Sequence, residues 1–437
     1  MKLKLVPLGL LLTAIMSANS ALADESLRDD IALDYENNLE ALFTHFHKNP
    51  ELSFKEMKTA KRLAKEIAVL GYDVTEGVGQ TGIVAVMKNG PGPTVMIRAD
   101  MDGLPVKEDS GLSYASTAMQ VDIDGKEKPV MHACGHDVHI TSLVGAARQL
   151  AARKAQWSGT LVLIGQPAEE RISGARAMLE DGLYKRFPKP DYALAFHVSA
   201  DTPTGRVELP LDIAASSSDS VDIIVRGVGA HGASPHKGID PILVASQIVV
   251  SLQSVVSRSI APLEAGVITV GAFNGGFKHN IISDRVDMQL TVRSDSPEIR
   301  EQLLDGIDRV VEGVAISMDV PKKLMPEVIR SKTESTPPTI NDKETALRIT
   351  KVFEEKLPKG TLYSKPREGM GAEDFAYFVT PELGVKGVYF VVGGTKPKDV
   401  EDAPSHHSPF FKVEPEPSIK LGTEAMVIAA MDLLAKT

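Results

Sequence analysis

The segment HACGHDVHITSLVGAARQL, residues 132–150, constrains the fold most, because a short polar motif leads directly into an apolar, helix-like run from Ile140 to Leu150. The motif contains the only cysteine of the chain, Cys134, two positions before His136. A lone thiol cannot form a disulfide within the chain, whereas thiolate and imidazole together suit a borderline-soft divalent ion. This arrangement therefore indicates a metal site at the start of a helix.

Strand-like and helix-like segments alternate on both sides of this motif. Alternation of this kind favours a layered α/β core. The predicted segments are helices within 31–70 on either side of Asn49-Pro50, strands at 84–87 and 94–97 separated by a turn at 89–93, a strand at 160–164, a helix around 175–179 and a strand at 192–196.

The pattern changes after Leu211, where a second unit is predicted. Its segments are a strand at 221–225, a helix at 241–256, strands at 266–273 and 285–292, and a helix at 299–314. The order β-α-β-β-α is typical of a small ferredoxin-like sheet. We therefore predict an α/β fold: a layered domain at 24–213 and 327–437, with a central mixed sheet flanked by helices, and an inserted ferredoxin-like α+β lid or dimerisation domain at 214–326.

Residues 1–23 have the features of a secretory signal peptide, which predicts an exported protein, periplasmic or secreted. Lys2 and Lys4 precede an apolar stretch at 5–16, and Ala21-Leu22-Ala23 forms a small-residue cleavage site. An uncleaved anchor is the alternative, but the stretch is shorter than the roughly 20 residues of a membrane span. Without residues 1–23 the formal charge changes from −10 to −12, because two lysines and no carboxylates are lost. Such an acidic surface predicts no nucleic-acid partner and no membrane partner.

Two further polar motifs follow predicted strands. Glu169-Glu170 comes after the strand at 160–164, and His197 comes after the strand at 192–196. The carboxyl ends of strands are where open α/β sheets bind ligands. If Glu169 and Glu170 lie on an extended segment, they point in opposite directions, so one can bind a metal while the other faces a water. A solvated acidic pair and a core or capping histidine are the alternatives.

Several other residues carry weaker signals. The loop containing His406 and His407 is followed by Pro409 and two phenylalanines, which favours an ordered loop with a metal ligand over a surface loop. Asp102 could orient a liganding imidazole by accepting its second ring proton, or could belong to an ordinary turn. His139 would share a helix face with His136, as a ligand or as a buried hydrogen-bonded residue.

Together these motifs resemble the aminoacylase and carboxypeptidase family of dinuclear metallohydrolases, and within it the amidohydrolase branch that contains hippurate hydrolase and indoleacetyl-amino-acid hydrolases. The resemblance covers nearly the whole chain after residue 23. The matching motifs are Arg98-Ala99-Asp100-Met101-Asp102, residues 132–139, residues 167–170, Gly174-Ala175, His197, residues 231–241, Asn280-Ile281-Ile282, residues 371–375 and His407-Ser408-Pro409.

The resemblance implies a metal-dependent amidohydrolase that uses water to cleave N-acyl amino acids or small peptides. It implies two divalent ions per chain, zinc or manganese above all, with cobalt and nickel also compatible. Cys134 would bridge the ions in the place where most of the family has an aspartate. His136 and His197 would complete the coordination of one ion, and Glu170 and His407 that of the other.

The resemblance also implies roles around the metals. Glu169 would be the general base. His231, on the inserted domain, would polarise the scissile carbonyl in the partner's active site within a homodimer, and Asn280 and Arg293 would bind the substrate carboxylate. Asp102 would orient a metal ligand.

Two positions depart from the family pattern, and two other functions stay open. Ser283 stands where a proline commonly follows Asn-Ile-Ile, and Arg171 follows the paired glutamates where small residues are usual, which could alter substrate choice. One alternative function is a hydrolase with Cys134 as the nucleophile and His136 or His139 as the base. The other is a non-catalytic periplasmic metal-binding or solute-binding protein on the same scaffold.

Overall fold

The computed structural model describes residues 26–435, so the predicted signal peptide at 1–23 lies outside the described residues. A helical run over 26–39 leads into the first of the helices that follow. These helices are α1 (Glu40–Lys48), α2 (Met57–Ala68), α3 (His136–Ala152), α4 (Gly174–Glu180), α5 (Leu183–Arg186), α6 (Pro241–Ser254), α7 (Pro297–Ser317), α8 (Lys343–Lys356) and α9 (Pro415–Leu433).

The strands form one large sheet, one four-stranded sheet and three short two-stranded ladders. The strands are β1 (Asp73–Val78), β2 (Gly82–Asn89), β3 (Thr94–Asp100), β4 (Met119–Val121), β5 (Glu127–Pro129), β6 (Gly159–Gln166), β7 (Tyr192–Pro203), β8 (Val207–Glu208), β9 (Ile213–Ala215), β10 (Ser218–Arg226), β11 (Ala230–His231), β12 (Gly266–Gly275), β13 (Ile281–Ile282), β14 (Arg285–Ser294), β15 (Glu327–Thr336), β16 (Thr339–Ile340) and β17 (Lys386–Thr395).

The large sheet is mixed and has the strand order β1-β2-β6-β3-β7-β17-β8. Strands β6, β3, β7 and β17 run parallel in its centre, and antiparallel strands close both edges. Helices α1, α2, α3, α8 and α9 cover one face, while α4 and α5 pack on the other. The predicted mixed sheet flanked by helices is therefore confirmed.

The apolar helix α3 lies almost completely buried against the sheet and α9. Gly145 makes the close helix contact possible, since a Cβ at this position would lie 2.7 Å from the Oγ1 of Thr423. Because α3 begins at His136, its packing determines where that imidazole lies.

Two strands that follow each other in the chain are not neighbours in the sheet. The turn predicted at 89–93 does connect β2 to β3, but β6 lies between them and pairs with both. Nearly all residues of β6 are buried, so this strand needs a hydrogen-bonded neighbour on each side. Strand β7 also extends further than predicted, through His197 to Pro203, because it continues to pair with β17.

The four-stranded sheet is antiparallel, has the order β12-β14-β10-β15, and carries α6 and α7 on one face. Its chain order β10-α6-β12-β14-α7-β15 is the ferredoxin-like arrangement. Residues 327–336, predicted as part of the layered domain, instead form β15, which pairs with β10 in this sheet. It is an edge strand that is mostly polar and exposed, so it lacks the apolar pattern by which the other strands were recognised.

Helix α6 combines a buried face with exposed apolar residues. Among the described residues, one helical stretch, Pro241–Ser259, is long and apolar enough to cross a membrane by length and composition. In this fold, Val244 and Ile248 on that stretch pack into the core of the four-stranded unit, whereas Leu243 is 58% and Val250 is 66% exposed.

Candidate metal centre

The polar site lies where β3, β6, β7 and the start of α3 meet. Asp100 ends β3, and Gln166 ends the parallel strand β6, with Pro167 and Ala168 between it and the paired glutamates. Gly135 allows the chain to enter α3, since it has a left-handed φ of 84° and a Cβ there would lie 2.4 Å from Val198. This turn places Cys134 and His136 at the same sheet edge as the glutamates.

The structure brings the five predicted metal ligands together. The potential ligand atoms of Cys134, His136 and Glu170 all lie within 4.8 Å of one another. The Sγ of Cys134 is 3.4 Å from the Nε2 of His197. The Nε2 of His407 is 3.3 Å from the Oε2 of Glu170, so residues from four separate segments meet at one point.

Two buried atoms at the centre of this group have no hydrogen-bond partner among the described residues. They are the Nε2 of His136 and the Oε1 of Glu170, which lie 3.8 Å apart. A buried polar atom without a partner costs about 1–3 kcal/mol. A cation between the two would satisfy both lone pairs, so these residues fit a bound divalent ion.

The hydrogen bonds of the other ring nitrogens leave His136 and His197 ready to bind a cation. The Nδ1–H of His136 donates to the backbone oxygen of Asp102 at 2.8 Å, and that of His197 donates to the backbone oxygen of Val198 at 2.6 Å. A carbonyl oxygen only accepts, so each ring carries its proton on Nδ1. The Nε2 lone pair of each ring therefore points into the site, where that of His136 has no partner among the described residues and that of His197 faces the Sγ of Cys134.

His139, in contrast, has both ring nitrogens occupied. Its Nδ1–H donates to Asp100 at 2.5 Å, and its Nε2 accepts the backbone N–H of Val198 at 2.8 Å. Burial lowers the pKa of His139 to about 3, which keeps the ring neutral. Of the two roles left open for His139, the structure supports the buried hydrogen-bonded one.

The paired glutamates face the same centre, so the predicted opposite orientation is wrong. Residues Glu169–Arg171 form a short 3₁₀ turn and not an extended segment. The Oε2 of Glu169 is 3.9 Å and the Oε1 of Glu170 is 3.8 Å from the Nε2 of His136. In a turn of this kind, adjacent side chains no longer alternate between two faces, and both carboxylates reach the site.

Asp102 supports both the turn and the imidazole. Its two carboxylate oxygens accept the backbone N–H groups of Glu169 at 3.2 Å and Glu170 at 3.1 Å. Its backbone oxygen accepts the Nδ1–H of His136, and its Oδ1 lies 3.3 Å from the same nitrogen. The backbone oxygen of Asp102 is thus the nearer of the two oxygens that orient His136.

Several acidic side chains are buried close together in this site. Burial, together with the charges of Glu373 and Glu170, raises the pKa of Glu169 well above its usual value. Burial likewise raises the pKa of Glu170 to about 8 and that of the Cys134 thiol well above its usual range. Divalent cations would favour the ionised forms of these groups, because each positive charge lowers the pKa of the acids beside it.

A buried charge network behind the site was not assigned a role from the sequence. The guanidinium of Arg98 bonds Asp100 at 2.6 Å, Glu373 at 2.6 Å and the amide oxygen of Gln166 at 2.7 Å, and it lies 3.3 Å from Asp374. Charged residues inside apolar segments, as in VMIRAD and AEDFAYF, were the available signal. The network holds the ends of β3 and β6 against the segment that follows residue 372.

Replacement of Arg98 by methionine is expected to lower the free energy of unfolding by about 3–5 kcal/mol, because three buried carboxylates would lose their counter-charge. Urea denaturation of the purified protein measures this loss. The control is Arg62→Met, which removes a partly exposed i,i+4 pair with Glu66 and should change stability far less, by about 0.5 kcal/mol. Equal effects of the two variants would contradict a structural role for the Arg98 network.

A second buried network gives a prediction for pH dependence. The Nδ1 of His47 lies 2.7 Å from Asp137, and its Nε2 lies 3.1 Å from Glu108. Burial alone would lower the pKa of His47, but these two hydrogen bonds and charges outweigh it and raise the pKa to about 9.

Because the pKa of His47 is higher in the folded than in the unfolded chain, its stabilising effect is complete below about pH 6.5 and is lost as the pH rises through about 9. His47→Gln should therefore cost on the order of 3 kcal/mol at pH 6 and much less at pH 10. Urea denaturation at both pH values measures this, with the exposed His45→Gln as the control. A cost that does not change with pH would contradict the charged state of His47.

The three predicted lid residues do not contact this cluster in the described part of the single chain. His231 is exposed, and its Nδ1 accepts the backbone N–H of Ala233 at 3.0 Å. Asn280 lies beside it, because its backbone oxygen accepts the N–H of Gly232 at 2.8 Å. Arg293 is half-buried on β14, where its Nε donates to Thr291 at 3.2 Å.

The two departures from the family pattern have different surroundings. Arg171 forms a 3.5 Å ion pair with Glu334 near the end of β15, and both side chains are partly exposed. The neighbouring Ser173 donates its hydroxyl to the backbone oxygen of Thr333 at 2.6 Å. The turn of the paired glutamates is therefore connected to the strand that leads out of the four-stranded sheet. Ser283 is buried, and its hydroxyl has no partner among the described residues.

Comparisons with known proteins agree with this geometry. The model of the family "Peptidase family M20/M25/M40" matches residues 96–432. A hippurate hydrolase from Campylobacter jejuni is 38% identical over 79% of this chain and 86% of its own length. Thermostable carboxypeptidase 2 from Saccharolobus solfataricus is 34% identical over 93% and 98% of the two chains. The crystal structure of Bacillus subtilis YxeP, a dinuclear metal-binding M20 peptidase, superposes with a TM-score of 0.73 at 27% identity, over 92% and 98% of the two chains. The chain belongs to the peptidase family M20/M25/M40.

Proposed function

We propose that this protein is a dinuclear metal-dependent amidohydrolase that cleaves the amide bond of N-acyl amino acids or small peptides. The observation that carries the proposal is a pair of buried atoms on His136 and Glu170 that face each other beside Cys134 and have no hydrogen-bond partner in the described part of the chain. Family membership supports it, because relatives include a hippurate hydrolase and an N-acetyl-L-cysteine deacetylase.

Five residues would hold the two cations. Cys134 would bridge them, His136 and His197 would complete one site, and Glu170 and His407 would complete the other. When bound, the cations would lower the pKa of an attached water and polarise the scissile carbonyl. Thiolate and imidazole suit zinc, and the carboxylate tolerates manganese, so these are the two metals we propose, with cobalt and nickel also compatible.

Glu169 is suited to move the proton. Its carboxylate lies beside the metal ligands without being needed to hold either cation. Burial and the neighbouring acids raise its pKa and so its affinity for a proton, while bound cations would favour its ionised form. Such a group accepts the proton of the attacking water and then donates it to the leaving amine. The backbone N–H of Glu169, which bonds Asp102, keeps the turn in place while the side chain acts.

We also propose that the protein is a homodimer in which His231 acts in the partner's site. His231 is exposed and bonds Ala233 through Nδ1, and the four-stranded unit that carries it exposes the apolar Leu243 and Val250 of α6. Asn280 beside His231, and Arg293 on β14, would bind the carboxylate of the substrate. A donor that approaches the carbonyl oxygen from the partner would add to the stabilisation of the developing oxyanion.

Mixing two inactive variants is expected to restore activity if His231 acts in trans. In a dimer of His231→Ala with Glu169→Gln, one site carries both defects and the other carries neither. Random reassembly of equal amounts should therefore restore about a quarter of the wild-type rate per site, because half of the dimers hold one intact site. If each site uses its own His231, the mixture stays as inactive as its two components.

The segment at 1–23 supports a further proposal, that the protein acts in the periplasm or outside the cell. Its charge, apolar stretch and small-residue motif are those of a cleaved signal peptide. Amino-terminal sequencing of the protein from the periplasmic fraction should find Asp24 as the first residue. Recovery of the protein with Met1 in the cytoplasm would contradict the proposal.

The decisive experiment on the function uses the protein with and without metal. Chelation should abolish hydrolysis of a panel of N-acyl amino acids and dipeptides, with hippurate included, and added zinc or manganese should restore it. Activity that survives the chelator but is lost on thiol alkylation would favour the Cys134 nucleophile. Lack of hydrolysis across the panel by the metal-loaded protein would favour a binding protein.

A further inference from the structure

Two adjacent histidines in the loop after residue 404 reach different atoms of the site. The Nε2 of His407 lies 3.3 Å from the carboxylate of Glu170. The Nδ1 of His406 lies 3.6 Å from the Sγ of Cys134. The two rings diverge because His407 has a left-handed φ of 66° and its backbone N–H donates to the oxygen of Ala133 at 2.8 Å.

A backbone hydrogen bond decides which nitrogen of His406 carries the proton. The N–H of Ala200 lies 3.1 Å from the Nε2 of His406, so this nitrogen must accept. A neutral imidazole that accepts at Nε2 carries its proton on Nδ1. The Nδ1 therefore has no lone pair for a metal, although the potential ligand atoms of Cys134, His197 and His406 lie within 4.8 Å of one another.

The ring of His406 is held firmly in this orientation. It packs against Phe411, with ring centroids 4.7 Å apart, and against His197, with centroids 5.3 Å apart. The Nδ1–H therefore stays directed at the sulfur of Cys134, a residue that is only 8% exposed. A buried thiolate among the carboxylates of this site gains most from a donor of this kind.

We propose that His406 is a positioning residue that donates its Nδ1–H to the thiolate of Cys134 and does not bind a metal. This inference rests on the proposed function, because it assumes that the thiolate binds the cations. The hydrogen bond lowers the energy of the sulfur lone pairs and fixes the direction in which Cys134 approaches the ions. Residues that hydrogen-bond to a metal ligand without binding the metal act in this way, and their loss typically weakens metal binding about 10- to 100-fold.

Cobalt(II) substitution tests the hydrogen bond directly, since a thiolate bound to cobalt(II) has a charge-transfer band in the near ultraviolet. Removing the donor in His406→Leu should move this band to lower energy and weaken cobalt binding about 10- to 100-fold, measured by competition with a chromophoric chelator. The matched variant His406→Asn offers an amide N–H close to the position of Nδ1. It should restore most of the band position and of the affinity.

The outcomes separate this inference from the proposed function. A band at the same energy in His406→Leu and wild type would overturn the hydrogen bond. Loss of one cobalt equivalent from both His406→Leu and His406→Asn would overturn it too, because it would make His406 a ligand. Absence of the band in the wild type, with cobalt bound, would overturn the proposed role of Cys134 in the metal centre itself.

Discussion

Replacement of Glu169 by glutamine is expected to lower kcat about 10²- to 10⁴-fold while the protein keeps both divalent ions. This is the range that a positioned general acid–base contributes, and the amide of glutamine can neither accept nor return the proton. Its shape is nearly the same, so the turn that Asp102 holds should persist. Steady-state kinetics with an N-acyl amino acid and elemental analysis of the same sample measure the two quantities.

The neighbouring Glu170→Gln is the matched control, because the two acids share one turn but are given different roles. This variant should lose metal along with activity, since an amide is a weaker ligand than a carboxylate. Full turnover of Glu169→Gln with full metal content would show that Glu169 is not the base. Loss of metal from Glu169→Gln would instead show that Glu169 is a metal ligand. The Oε2 of Glu169 lies 3.9 Å from the Nε2 of His136, far enough for a cation to bind between them.

The effect of a substitution at Cys134 on activity and metal binding is expected to depend on whether the new side chain can bridge two cations. Cys134→Ala should lose activity. Its metal binding should weaken by more than about 100-fold, because loss of a residue that only hydrogen-bonds to a ligand already weakens binding about 10- to 100-fold. Cys134→Asp should keep two ions and substantial activity, because a carboxylate is a competent ligand for zinc and manganese. Metal content after gel filtration and the rate of hydrolysis measure these effects.

The pair of variants also separates the metal mechanism from a thiol nucleophile. A nucleophilic Cys134 would make both variants inactive, since neither retains the sulfur. The position of the thiol favours a ligand, because burial and the acids beside it raise its pKa well above the usual range and so disfavour a free thiolate. Inactive Cys134→Asp with both ions bound would contradict the bridging role.

Much of the fold was predictable from the sequence, because apolar patterns along the chain indicate where the buried helices and strands lie. The apolar run after His136 predicts α3, and the apolar strand before Glu169 predicts β6, since burial imposes a composition that is visible along the chain. The ferredoxin-like unit was also recognisable, except for β15. That strand is an exposed, largely polar edge, where burial imposes no pattern.

The candidate site was predictable as a set of residues but not as an arrangement. The types and positions of Cys134, His136 and His197, of the Glu169-Glu170 pair and of the His406-His407 pair were enough to identify possible ligands, because few side chains bind divalent cations. The choice of Glu170 and His407 within the two pairs came from the family resemblance. Nothing local showed that Glu169 and Glu170 face the same centre, since that depends on a turn capped by Asp102.

The sequence by itself determined the chemical groups of this protein, their order and the layered fold that carries them. Only the tertiary structure decided which histidines can bind a cation. The Nε2 of His136 has no hydrogen-bond partner among residues 26–435, whereas His139 is occupied on both nitrogens and His406 accepts at Nε2 from Ala200. The reason is physical: an imidazole has one proton and one lone pair to place, and their placement depends on backbone groups distant in the chain.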